Sequence, residues 1–190
     1  MLEPWIETHS GKRMYFLAPT PEMIDIDDIA HSLSLQCRFS GHTSQFYSVA
    51  EHSINVAREL QDEGPEVQLQ GLLHDASEAY LLDVPSPVKQ FLGGYKEMED
   101  GLMKAIFTKY GVKYPMSMMV KEADHVMLKR EANVLLPSKG ASWVNDFPTI
   151  WETDCYIDAY PPTYVKELFM DWFNYLVKEN ANASRTTAVI

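Results

Sequence analysis

Apolar residues recur along most of the chain at three- and four-residue steps, the spacing of helices with one face turned inward. Between residues 43 and 60, the positions Phe46, Val49, Ala50, Ser53, Val56, Ala57 and Leu60 trace one such stripe, and "QDEGPE" stops it with Gly64 and Pro65. Residues 67–81 predict a second helix with so little polar face that it belongs at the centre of the molecule. In "DVPSPVKQFLGG" each proline biases its predecessor away from helix, which predicts a loop. Two further helices are expected over residues 95–110 and 116–135. A last helix opens at Pro162 and runs to Leu176, with Tyr164, Leu168, Phe169, Trp172 and Leu176 as its inward stripe. The terminal "ENANASRTTAVI" reads as a loose tail. Near the start, "THSGKRMYFLAP" suits a small hairpin turning at Gly11, and "DIDDIAHSLS" a short helix with acids in its first turn. No run of strands is present to build a sheet. The expected fold is all-α, a compact helical bundle forming a single domain over residues 1–190.

Charge narrows the possible partners. The formal net charge is −11, which disfavours a nucleic-acid polymer because phosphate binding on that scale needs a basic face. A small anion is still admissible, since a few local cations or a bound metal reverse the potential inside one pocket. Cys37 and Cys155 are far apart and form no metal-site spacing, so both are expected to be reduced and structural. No basic segment precedes an apolar leader, and no apolar run reaches the roughly 18 residues of a membrane span. The chain therefore reads as cytoplasmic, with no membrane partner.

Against this background "LLHDASEAYLLDVPSPVK" is anomalous, because it sets a histidine and an aspartate inside an apolar run. Ionisable groups in such places need partners, since burying them alone is costly. His52 in "VAEHSINVA" and Asp124 in "VKEADHVMLKR" have the same character on other helices. A lone histidine of this kind is more often a hydrogen-bonded core residue. Three helices offering His52, His74 with Asp75, and Asp124 instead make a mixed nitrogen and oxygen ligand set for a borderline divalent ion. Glu78 lies one turn beyond the pair and suits a base or an orienter of water, and Asp83 just past the helix end can reach the same mouth. Arg38, Lys89 and Lys121 supply positive charge around the same place, which fits phosphate oxygens.

These stretches, together with "CRFSGHTSQFYSVAEHS", resemble the HD-domain phosphohydrolases over residues 36–135, and within them the small deoxynucleotide phosphohydrolases. That group includes bacterial 5'-deoxynucleotidases and phage dATP triphosphohydrolases, and the segment before His52 is most similar to the phage type. The resemblance implies an all-helical HD fold with a metal held by His52, His74, Asp75 and Asp124. It implies Glu78 and Asp83 at the reaction centre, and Arg38, Lys89 and Lys121 on phosphate. It also implies Co2+, Zn2+ or Mn2+ as the ion, with additional divalent ions near Glu78, and assembly as a homo-oligomer, a dimer or a hexamer. For a phage-encoded chain the compartment would be the host cytoplasm. Phe39 or Gly41 is expected near the base, with Pro87 as a wall of its pocket. The favoured reaction is removal of phosphates from dATP to give deoxyadenosine. A nucleotidase limited to monophosphates and a phosphodiesterase acting on cyclic nucleotides or dinucleotides stand as alternatives. A non-catalytic nucleotide-binding module is a further one, but it leaves Glu78 and Asp83 without a role.

Overall fold

The computed structural model describes residues 4–141 and 157–187. The chain opens with the expected hairpin, in which β1 (Trp5–Glu7) pairs antiparallel with β2 (Arg13–Tyr15) and Ile6 faces Met14. Gly11, in the connection, takes the left-handed φ of +79° that favours glycine there. Met14 is fully buried and ties the hairpin to the core. α1 (Ile26–Leu35) follows, capped by the Asp25 side chain, which accepts a hydrogen bond from the Asp27 amide.

α2 (Val49–Glu59) begins later than its stripe implies, at Val49 rather than at residue 43. Ser48 sets the boundary by accepting from the amide of Glu51, and the two have the Ser-x-x-Glu spacing of a helix start. The preceding chain forms a short turn over Arg38–Gly41 and then a bridge between Cys37 and Ser48, which leaves Phe46 exposed. α2 is buried along nearly its whole length and packs on α1, α3 (Pro65–Leu73), α7 (Met118–Leu135) and α8 (Pro162–Thr187). α2 and α3 are both central, α3 packing on α2, α7 and α8 with no exposed residue between 64 and 81.

The helix expected over residues 67–81 is two pieces. α3 ends at Leu73 and α4 (Glu78–Leu81) restarts after four residues of turn that include His74 and Asp75. The amides of Ala76 and Glu78 bond the carbonyls of Leu73 and Asp75, a tighter winding than the α-helix. His74 Nδ1 takes the Gly71 carbonyl at 2.7 Å, which competes with the regular ladder. The expected loop also holds one helical turn, α5 (Ser86–Lys89), which tolerates Pro87 because the first turn needs no amide donor there.

α6 (Tyr95–Tyr110) has the predicted bounds, and α7 starts two residues into its predicted range, capped by Ser117. α8 starts at Pro162 as predicted but continues through Thr187, so most of the expected tail is helical. Its fully or largely buried residues are Val165, Phe169, Phe173 and Leu176, with Leu168 and Trp172 packed at their edge. Tyr164 is 48% exposed, so the stripe is rotated by about one residue at its start. The tryptophan-rich stretch of residues 143–151 and Cys155 lie outside the described residues, and Cys37 is a free thiol. Among the described residues the chain is a helical bundle with one small two-stranded sheet, and no helix is long and apolar enough to cross a membrane.

Candidate metal centre and its cavity

The polar groups singled out in the sequence meet where α2, the turn after α3, and α7 come together. His52 projects from the middle of α2 and is fully buried. Its Nε2 lies 3.2 Å from His74 Nε2, 3.2 Å from Asp124 Oδ1 and 3.6 Å from Asp75 Oδ2. His74 Nε2 lies 3.1 Å from Asp75 Oδ2 and 3.9 Å from Asp124 Oδ1. Among the described residues, His52, His74 and Asp124 each offer one ligand atom, all within 4.8 Å of one another, and Asp75 stands beside them.

Hydrogen bonding fixes which ring nitrogens face inward. His74 Nδ1 is 2.7 Å from a carbonyl, which only accepts, so this nitrogen carries the proton. His52 Nδ1 is 2.7 Å from Glu131 Oε1, where the same reasoning holds for an ionised carboxylate. In the neutral rings both inward Nε2 atoms then present lone pairs, to each other and to two carboxylates. Such a convergence is repulsive unless a cation sits within it, and outer partners of this kind are typical of histidines that hold a metal. Without an ion, protons serve: burial opposes the charged ring of His74, but Asp75 and Asp124 outweigh it and raise its pKa to about 9. Asp75, despite its burial, is held well below the usual carboxylate range by His74. The donor set fits a borderline divalent ion.

Beside the cluster opens a cavity of about 660 Å³, large enough for a nucleotide-sized ligand. Asp75 and Asp124 line it on the cluster side, and Arg38, Phe39, Glu78, Asp83, Pro87 and Lys89 are among its other walls. Glu78 lies on α4 and is buried, so its carboxyl is pushed well above the ordinary range, with Asp75 and Asp83 adding to the effect. Lys89 Nζ reaches Glu78 Oε1 at 3.1 Å and Glu99 Oε1 at 2.8 Å. Glu78 Oε2 is buried with no hydrogen-bond partner among the described residues, an orphaned acceptor in a cavity wall. Burial also raises Asp83, against the pull of Arg38. The backbone carrying both acids is clamped by Gln36, whose amide group donates to the Glu78 carbonyl and whose oxygen accepts from the Asp83 amide.

Two expected residues lie elsewhere. Gly41 is exposed and outside the cavity lining. Lys121 is exposed and lines a neighbouring groove together with His74, Asp75 and Asp124, outside the cavity that holds Arg38 and Lys89. The sequence reading missed Glu131, fully buried on α7. Its only signal was a spacing of two helical turns from Asp124.

No family model matches the chain. It is 38% identical over 175 residues to the uncharacterized protein YfdR of Escherichia coli K12, covering 90% of this chain and 95% of that protein. It is 40% identical over 143 residues to the uncharacterized protein RCAP_rcc00048 of Rhodobacter capsulatus, covering 70% and 73%. The chain belongs to the family of YfdR. Neither relative's name states an activity, so the chemistry has to be read from the site.

Proposed function

We propose that the protein is a metal-dependent phosphohydrolase of the HD-domain kind, acting on deoxynucleotides and favouring dATP. The observation that carries the reading is the arrangement around one cavity: Asp75 and Asp124 of the ligand cluster, the acids Glu78 and Asp83, and the cations Arg38 and Lys89 share its walls, with His52 and His74 directly behind the two aspartates. His52, His74, Asp75 and Asp124 would hold the ion. When bound, a divalent ion such as Co2+, Zn2+ or Mn2+ supplies Lewis acidity toward a phosphoryl oxygen.

The chain's own residues account for the rest. Arg38 and Lys89 neutralise the phosphoryl oxygens, and to bind them Lys89 exchanges part of its pairing with Glu78 and Glu99. Glu78 accepts a proton from the attacking water as its oxygen bonds to phosphorus. Asp83 gives a proton to the leaving oxygen as the old phosphorus–oxygen bond breaks. Phe39 and Pro87, both cavity walls, offer apolar surface to the base. Lys121, which lines the adjoining groove, would meet a longer phosphate chain. A homo-oligomeric, cytoplasmic enzyme is part of the same proposal.

The test is a screen of deoxynucleoside mono-, di- and triphosphates with cobalt, manganese and zinc, every product being resolved. Deoxyadenosine and phosphate from dATP are expected. Phosphate from dAMP alone would replace the reading with a 5'-deoxynucleotidase, and no release from any substrate would overturn it. Lys121→Ala is expected to raise KM for dATP several-fold more than for dAMP, measured as paired Michaelis curves.

A further inference from the structure

Glu131 is the most completely enclosed acid near the site, at 0% exposure, and it does not itself line the cavity. Its two oxygens serve different partners. Oε1 accepts from His52 Nδ1 at 2.7 Å and from the Tyr47 hydroxyl at 2.9 Å. Oε2 accepts from Arg38 Nε at 2.9 Å. The Tyr47 hydroxyl in turn accepts from Asn55 Nδ2 at 3.0 Å, so the tyrosine is held from both sides. Arg38 reaches onward, with Nη1 at 3.7 Å from Asp75 Oδ2.

We infer that Glu131 is a positioning residue that joins the metal ligand His52 and the anion-binding Arg38 through one carboxylate, so that ion affinity and phosphate affinity depend on the same side chain. The inference rests on the reading of Arg38 and the cluster given above. A carboxylate is required because three donors converge on it, and its two oxygens are pure acceptors. A bond from Oε1 fixes the His52 ring with Nε2 inward, and a bond from Oε2 fixes the guanidinium with its outer nitrogens toward the cavity. An amide of the same size has one accepting oxygen and one donating nitrogen. On one side it keeps an acceptor but loses the charge, and on the other it sets a donor against a donor, so both bonds weaken.

The experiment measures Co2+ affinity by competition titration, then inorganic phosphate affinity at saturating cobalt, in wild type, Glu131→Gln, Glu131→Asp and Arg38→Lys. Glu131→Gln is expected to weaken cobalt by about 10–100-fold, the usual cost of losing such an outer partner, and to weaken phosphate as well. Arg38→Lys should weaken phosphate alone. Glu131→Asp keeps the charge but is one methylene short of spanning both partners, so it shows the same double loss to a smaller extent, and it carries the test if the glutamine variant does not fold. Wild-type affinities in a folded variant, even with a lower melting temperature, would reduce Glu131 to a structural residue and overturn the inference. Loss of only one affinity would overturn it too. A wild-type protein that binds cobalt and phosphate but hydrolyses no deoxynucleotide would overturn the proposed function and leave this inference standing, whereas failure to bind cobalt would overturn both.

Discussion

Glu131 and Glu78 are both buried carboxylates, yet their surroundings drive them in opposite directions. Burial alone would raise Glu131, but Arg38 and His52 hold it below its ordinary value. Glu78 has Lys89 on one oxygen and, among the described residues, no partner on the other, and it is pushed up. The first is held ionised, and the second, in the proposed reaction, exchanges a proton. Glu78→Gln should therefore keep the ion and lose about 100-fold or more in turnover, with metal content and rate measured on one preparation. Leu82, between Glu78 and Asp83, sits at φ +70° and ψ 156°, a conformation that suits glycine almost alone. Tyr95 holds its carbonyl, so the strain is kept in place beside the two acids. Leu82→Gly is expected to raise the melting temperature slightly while lowering turnover, since it releases both the strain and the fixed spacing of the acids. A fall in melting temperature with unchanged turnover would contradict this. His52, His74, Asp75 and Asp124 were legible in the sequence because charges in an apolar stripe demand one another. Glu131 follows Lys129 and Arg130, and in that company it reads as an ordinary solvated acid.

At the scale of elements, the sequence was most legible where capping and periodicity agree. α6 ends on Gly111 in a left-handed conformation whose amide bonds two carbonyls of the last turn, and its bounds were predicted. α2 was misjudged at its start because the apolar stripe ran on through residues that fold as a turn and a bridge, although the Ser48 and Glu51 spacing held the answer. The break between α3 and α4 was invisible, because it comes from the bond between the His74 ring and the Gly71 carbonyl rather than from a proline or glycine at the break. Gly71 has a second duty. A Cβ there would lie 2.6 Å from Leu60 Cδ1 and 3.4 Å from Ala57 Cα, so glycine lets α3 approach α2 closely. Gly71→Ala should destabilise the fold, since overpacking costs about 1–3 kcal/mol and the gain in helix propensity returns about 1 kcal/mol at most. It should also weaken cobalt binding, because the same approach brings His52 and His74 together. Thermal melts with and without cobalt read both effects.

For the whole molecule, the candidate ligands His52, His74 and Asp124, and Asp75 beside them, come from stretches of chain that only folding unites. Whatever binds the folded state alone stabilises it, by about 2.7 kcal/mol when its free concentration is 100 times Kd. Chelation is therefore expected to lower the melting temperature as well as the activity, and resupply of the ion to restore both. An unchanged melting temperature with full activity in stripped protein would remove the metal centre altogether. An ion held there would act in effect as a removable staple across three parts of the chain. A staple that can be withdrawn would make the protein's lifetime a matter of diet: copies starved of metal would open more often and fall to proteases sooner. The amount of protein a cell keeps would then follow its metal supply, without any change in how fast the protein is made.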